Sequence, residues 1–225
     1  MIILNVIIEV IVAIILIGAG YAGVCQYLKE DDKKIDKEYL LTMSNSKIYY
    51  LVISVCIYIL LIIILNTVYN NNGLINHLKP LCLIGCIIPC AAVDQKVNKI
   101  PNKFLVAALC VRVVLYIGEF INLGKYAAYI LFDNLAGAFI IAGFFLLILL
   151  IFKNSIGMGD IKLFAVMGLY QGIWGAFNSI FFSLMASLII AIVLLIRKKK
   201  NRHDAIPFGP SILIGTVIAV CLAGI

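Results

Sequence analysis

The sequence predicts an all-α fold, a polytopic membrane helix bundle with about eight transmembrane helices. Of the 225 residues, 64% are hydrophobic and only 13% are charged, whereas a soluble domain is roughly half apolar and a quarter charged. Several runs reach the roughly 20 apolar residues that are needed to cross a bilayer core. Short polar or glycine-rich stretches separate these runs, so the chain is expected to cross the membrane many times.

The first four predicted helices are bounded by polar loops and turn signals. A polar segment from 27 to 46 follows the first apolar run, and Asn70-Asn-Asn-Gly73 is a typical turn sequence. Pro101 fits the first turn of the fourth helix, where its missing N–H costs no hydrogen bond. These helices are predicted to span about 2–24, 47–69, 79–94 and 101–118.

The last four predicted helices are separated by residues that disfavour helix interiors. The 153–160 linker contains two glycines, an asparagine and a serine. Gly168, Gly172 and Gly175 allow a turn and close helix packing, and Pro207 opens the final helix. These helices are predicted to span about 130–152, 160–170, 172–196 and 206–225.

The positive charges predict an orientation with both termini outside, N-out/C-out. When the 25–46 loop is placed in the cytoplasm and the helices alternate, 15 of the 18 Lys and Arg residues lie on the inner side. Only Lys79 and Lys125 lie on the outer side, and Arg112 falls inside the membrane. Cytoplasmic loops of membrane proteins are enriched in Lys and Arg, so this asymmetry also supports the number of helices.

Neither the net charge nor the cysteines indicate a nucleic-acid or zinc site. The net charge of +7 comes from short loops, and nothing beyond it supports nucleic-acid binding. The seven cysteines form no C-x-x-C pair, so zinc is not expected. Cys82, Cys86 and Cys90 share one helical face by their spacing of four. We interpret them as packing residues between helices, with a metal or redox role as the less favoured alternative.

Two acidic residues are the candidate functional residues. Asp94 ends the third predicted helix, which descends to the cytoplasm, and Asp160 begins the sixth, which starts there. Both therefore lie at the same membrane face, where acidic residues are costly and are functional candidates. Two carboxylates that face each other across a partly dry cleft can share a proton and activate water, as aspartic peptidases require. Taken singly, Asp160 is equally well explained as a helix N-cap, and Asp94 as an ordinary carboxylate near Lys96.

Four further polar residues receive structural interpretations. Arg112 and Glu9 lie at comparable depths in the fourth and first helices, and a buried arginine needs a partner. We therefore predict an Arg112–Glu9 ion pair. His77 and His203 stand in opposite loops and are predicted to be solvated rather than ligands.

Three short motifs resemble those of the bacterial type IV prepilin peptidases. Asp94 is followed seven residues later by Pro101 and then Asn102, as in the first motif of that family. The run Gly157-Met-Gly-Asp160-Ile-Lys162 is similar to its GxGDxK motif, and Ile206-Pro-Phe-Gly-Pro210 resembles a third element that opens the last helix. The resemblance covers residues from about 79 to 225, with the three motifs in the same order.

The resemblance implies a membrane aspartic endopeptidase of the bacterial inner (cytoplasmic) membrane. Its substrates would be prepilins or pseudopilins, whose basic leader peptide is cut at the cytoplasmic face, typically after a glycine. Asp94 and Asp160 would be catalytic. The motif or supporting residues would be Pro101, Asn102, Gly157, Gly159, Lys162, Pro207, Phe208, Gly209 and Pro210. The lipid bilayer would be its other partner.

The chain differs from the long form of that family. The long form carries a cytoplasmic domain with two C-x-x-C pairs after the first helix and N-methylates the new terminus. Here residues 25–46 contain one cysteine, so we expect a peptidase without methyltransferase activity, S-adenosylmethionine, zinc or another cofactor. We divide the chain into residues 1–78, an N-terminal two-helix membrane segment with a short cytoplasmic loop, and residues 79–225, a six-helix GxGD aspartic peptidase core.

Two other functions and two structural alternatives remain open at this point. A cation- or proton-coupled carrier could use the Asp pair as a binding site, although no internal repeat is visible. A presenilin-like intramembrane protease shares GxGD but carries a PAL element and a Tyr-Asp pair, where this chain has Pro207-Phe-Gly-Pro210 and Val93-Asp94. Gly157 and Gly159 could form a simple turn or allow close backbone approach. The Pro207–Pro210 run could bind an extended substrate or simply start a helix.

Overall fold

The computed structural model of the protein describes residues 2–31, 38–70, 72–152, 156–196 and 207–223. These residues form α-helices joined by short connections, and no strand occurs among them. Six of the helices are long and apolar enough to cross a membrane, and the seventh is a shorter apolar helix. The prediction of an all-α, multi-pass helix bundle is confirmed. The helices are α1 Ile2–Asp31, α2 Glu38–Thr67, α3 Leu74–Val97, α4 Asn102–Leu123, α5 Lys125–Ile151, α6 Met158–Ile196 and α7 Gly209–Ala223.

Several helices extend beyond their apolar runs, so some predicted boundaries are wrong. The chain from 27 to 46, predicted to be a loop, continues α1 to Asp31 and already belongs to α2 from Glu38. Likewise α3 begins at Leu74 rather than at 79. At the end of α1 the physical reason is that Gln26 and Lys29 are good helix formers, so the helix continues after its apolar run has ended.

The long helix α6 is divided at Gly172, as the sequence predicted. This glycine has φ 67° and ψ −170°, which is not helical backbone. Ser179 donates a hydrogen bond to Gln171 Oε1 at 2.9 Å, although residues eight apart in a straight helix are separated by about 12 Å along its axis. The chain therefore changes direction at Gly172. With α6 counted as 158–171 and 173–196, the described residues contain eight helical segments.

The predicted Arg112–Glu9 pair is wrong. Arg112 is buried and donates two hydrogen bonds to Glu119, at 3.2 and 3.3 Å. These two residues are seven apart, or two turns along the same face of α4. Glu9 instead contacts His77 Nδ1 at 2.7 Å and Asn66 Nδ2 at 2.6 Å.

The prediction of a solvated His77 is also wrong, because this side chain is only 3% exposed. The actual start of α3 at Leu74 places it inside a helix rather than in a loop. There it lies between Glu9 of α1 and the backbone oxygen of Tyr69. His203 lies outside the described residues.

The helix α3 occupies the centre of the bundle and packs against α1, α2, α4, α6 and α7. It is buried along most of its length, from Pro80 to Asp94. Its carboxyl end meets the end of α1 and the beginnings of α4, α6 and α7, because residues of all five helices meet around Asp94. Regular alternation of the helices brings these ends to one end of the bundle, and this is where the candidate site lies.

Candidate functional site

A cavity of about 530 Å³ lies at this end of the bundle and contains both candidate aspartates. Its walls come from three parts of the chain. The last turn of α3 and the linker to α4 supply Asp94 and residues 98–103, the start of α6 supplies residues 157–160 and Lys162, and α1 supplies Tyr27. Asp94 and Asp160, which lie 66 positions apart in the sequence, thus line one cavity large enough for a segment of a substrate.

Asp94 lies in the last turns of α3 and is 6% exposed. Its Oδ2 atom accepts a hydrogen bond from the backbone N–H of Gly209 at 2.7 Å. A Cβ atom on Gly209 would lie 3.1 Å from the same oxygen and 3.0 Å from Asp94 Cβ. The start of α7 therefore packs directly on this carboxyl group, with no space for a side chain between them.

Asp160 lies in the first turn of α6 and is partly buried. Its backbone N–H donates to the Gly157 carbonyl at 3.1 Å, which closes the turn that precedes the helix. A Cβ atom on Gly157 would stand 3.0 Å from Asp160 Oδ2. Asp94 and Asp160 line the same cavity, and both are negatively charged when ionised. Two carboxyl groups that repel each other in this way favour a state in which one of them holds a proton.

The two motifs that carry the aspartates also contact each other. Lys162 Nζ donates to Asn102 Oδ1 at 3.1 Å, which joins the start of α6 to the start of α4. A Cβ atom on Gly159 would meet Ile100 Cβ at 3.0 Å. Pro101 is buried immediately before α4. The predicted supporting residues of these two motifs therefore lie around one cavity, and the backbone at Gly157 and Gly159 approaches its neighbours closely.

The Pro207–Pro210 segment lies beside Asp94 but is absent from the cavity wall. Gly209 is buried and reaches Asp94 through its backbone. Phe208 places its ring edge-on against Phe164 of α6, with 5.9 Å between ring centroids and an 87° angle. The segment thus contacts both helices that carry the aspartates.

Sequence reasoning did not predict several residues of the site. Tyr27 lines the cavity from α1, and the hydrogen bond from Gly209 to Asp94 joins residues 115 positions apart. Lys99, Ile100, Lys103 and Met158 also line the cavity. These four residues are neighbours of the motif residues in the sequence, and this could have indicated that they belong to the site. No sequence pattern around Tyr27 gives such an indication.

The described residues contain no cluster of three or more His, Cys, Asp or Glu side chains that could hold a metal ion. Cys82 and Cys90 lie in the main apolar core, and Cys86 packs against it. This location agrees with their interpretation as packing residues. The cavity wall itself carries two carboxyl groups, the Tyr27 side chain, amide groups and ammonium groups.

Comparison with known proteins gives one match. A search of curated proteins and a search of solved structures each found none. The profile of the type IV leader peptidase family matches residues 81–196, which is just over half of the chain and includes both aspartates of the cavity. Together with the apolar helices, this match identifies a multi-pass membrane peptidase, and the chain belongs to the type IV leader peptidase family.

Proposed function

We propose that the protein is an aspartic endopeptidase that removes the leader peptide of prepilins or pseudopilins at the cytoplasmic face of the bacterial inner membrane. Asp94 and Asp160 are its catalytic residues. The observation that carries the proposal is that these two carboxyl groups line one cavity in a member of a leader peptidase family. Each explanation of a single aspartate as a helix cap or surface charge leaves this shared location unexplained.

The proposed reaction uses the two carboxyl groups in opposite roles. The ionised one takes a proton from water as the water oxygen bonds to the carbonyl carbon of the scissile peptide. The protonated one donates to the carbonyl oxygen, so the tetrahedral intermediate is neutral. When the C–N bond breaks, the carboxyl group that took the water proton gives it to the leaving amine nitrogen. The other carboxylate takes a proton from a hydroxyl of the intermediate as the C=O bond of the product acid forms, so the pair again holds one shared proton.

The charges around the cavity favour its placement at the cytoplasmic surface. Lys99, Lys103 and Lys162 line the cavity, and the loops at this end carry most of the Lys and Arg residues. Basic leader residues would be repelled by these ammonium groups and would remain near anionic lipid headgroups. Only the segment around the scissile bond then enters the cavity.

We further propose that the enzyme is a peptidase without methyltransferase activity. The helices α1 and α2 leave only residues 32–37 between Asp31 and Glu38. The sequence has no C-x-x-C pair there or elsewhere. A cytoplasmic domain of the kind found in the long form of the family does not fit into so short a connection.

The proposal is tested by co-expression with candidate prepilins from pilus, secretion and competence systems, with leader removal followed as a gel shift. We expect Asp94→Asn and Asp160→Asn each to lower the cleavage rate at least about 100-fold, because each removes a group that transfers a proton. Asp133→Asn is the matched control, since Asp133 is absent from the cavity wall. Cleavage that survives both active-site substitutions at equal expression would exclude the aspartic mechanism.

A further inference from the structure

The Pro207–Pro210 segment reaches both helices that carry the proposed catalytic residues. On one side, the Gly209 N–H donates to Asp94 Oδ2 at 2.7 Å. On the other side, the Phe208 ring packs on Phe164. Phe164 stands four residues after Asp160, on the same face of α6. Two adjacent residues thus connect the two halves of the cavity.

Gly209 packs so closely against α3 that no space remains for a side chain. A Cβ atom there would lie 3.0 Å from Ala91 Cα and 3.0 Å from Asp94 Cβ. Ala91 and Asp94 are one helical turn apart, so the backbone at Gly209 rests on the turn that presents the carboxyl group. Any larger residue has to displace either α3 or the start of α7.

The position of the segment separates it from the substrate space. None of its four residues lines the cavity, and Gly209 is buried behind Asp94. The segment also lies outside residues 81–196, which the family profile matches. Direct contact with a substrate therefore does not account for the arrangement.

Resting on the proposed function, we propose that Phe208 and Gly209 are positioning residues that fix the Asp94 carboxyl group relative to Asp160. Without a partner, a carboxyl group rotates about its terminal bond. The Gly209 N–H holds one oxygen, which leaves the other oxygen available to water in the cavity. The Phe208–Phe164 contact keeps the start of α7 in register with the helix that carries Asp160.

The test measures kcat and KM of the full-length protein in detergent or proteoliposomes, with a prepilin that the wild type cleaves. We expect Gly209→Ala to lower kcat about tenfold, because its Cβ atom pushes the contacting atoms of Ala91 and Asp94 away by a few tenths of an ångström, and misplacement of a catalytic group by about 1 Å costs about 100-fold. KM should stay within about threefold, because substrate binding is unaffected. Phe208→Ala should lower kcat about tenfold, and Phe208→Leu should restore most of this loss because it keeps the apolar contact.

Matched controls separate this role from general effects of the substitutions. Gly143→Ala adds a Cβ atom where no other atom lies within 4 Å, and Phe139→Ala removes a ring that is 74% exposed. Both should leave kcat unchanged. If Gly209→Ala does not fold, the Phe208→Ala and Phe208→Leu pair decides the question alone, with thermal midpoints measured in parallel.

Three results would overturn the inference. One is an unchanged kcat in folded variants, and another is a lower thermal midpoint with unchanged kcat per folded molecule, which indicates a merely structural role. The third is a raised KM with unchanged kcat, which would place the segment in substrate binding. Failure of the wild type to cleave any prepilin is seen before the variants are compared, and it would overturn the proposed function itself.

Discussion

At the scale of single residues, Glu119 is a fully buried carboxylate that balances two cations. Lys79 Nζ lies 2.6 Å from Glu119 Oε1, and Arg112 contacts both carboxylate oxygens. The guanidinium group also stacks on Tyr116, 3.8 Å from the ring centroid. We expect Glu119→Gln to destabilise the folded protein by about 3–5 kcal/mol, because it leaves the buried Arg112 and the largely buried Lys79 without their anion. The thermal midpoint in detergent measures this.

The control for Glu119 is a double variant. Adding Lys79→Met to Glu119→Gln removes one of the stranded charges, so part of the lost stability should return. A single variant that is as stable as the wild type would show that water or lipid headgroups neutralise the site instead. The cavity residues are separate from this cluster, so kcat per folded molecule should change little.

At the scale of elements, the division of α6 sets the length of the segment that carries Asp160. The carbonyl oxygen of Leu169, just before the break, accepts hydrogen bonds from Arg112 Nε at 2.8 Å and Tyr116 OH at 3.1 Å. Such donors satisfy carbonyl groups that a helix end leaves without partners. A Cβ atom on Gly172 would overlap the Asp133 carboxylate. The two donors satisfy the carbonyl group at the end of the first segment, and the Asp133 carboxylate leaves space only for a glycine at the break.

We expect Gly172→Ala to lower stability by at least about 1–3 kcal/mol, because its backbone region is essentially restricted to glycine. The overlap with Asp133 adds to this cost. The measurement is the thermal unfolding midpoint, compared with Gly143→Ala, which has open space around its Cβ and should be neutral or slightly stabilising. Equal midpoints for the two variants would mean that the break does not depend on glycine.

At the scale of the whole molecule, the cavity includes a residue from outside the region that the family profile matches. Tyr27 of α1 lines the cavity and packs against the apolar cluster of Val24, Leu28 and Val93, the last of which precedes Asp94. We expect Tyr27→Ala to raise KM about tenfold, which corresponds to a loss of about 1.4 kcal/mol of binding free energy. Because Tyr27 carries no proton in the proposed reaction, kcat should change much less.

The comparison for Tyr27 is Tyr49→Ala on α2. Tyr49 is 67% exposed and absent from the cavity wall, so its removal should leave both constants unchanged. Steady-state cleavage of one prepilin substrate by the two variants gives the answer. An unchanged KM for Tyr27→Ala would limit the substrate space to the α3–α4 linker and the start of α6.

The sequence by itself determined the number of helical segments and the meeting of the two aspartates. These conclusions rest on local features that can be recognised without knowing how the helices pack. The features are the apolar runs, the glycines near 172 and the charges of the loops. Alternation of the helices then places the end of α3 and the start of α6 at the same end of the bundle. The placement of Asp94 and Asp160 close to each other follows from this alternation, and the cavity that contains both residues agrees with it.

Only the tertiary structure decided which side chains meet inside the bundle. It paired Arg112 with Glu119 rather than Glu9, buried His77, brought Tyr27 into the cavity and placed the Gly209 N–H on Asp94. The physical reason is that lipid-facing and core-facing surfaces are both apolar in a membrane bundle, so the sequence carries little information about how each helix is rotated. Rotation is fixed by close packing and buried hydrogen bonds between distant residues, which exist only once the helices have assembled.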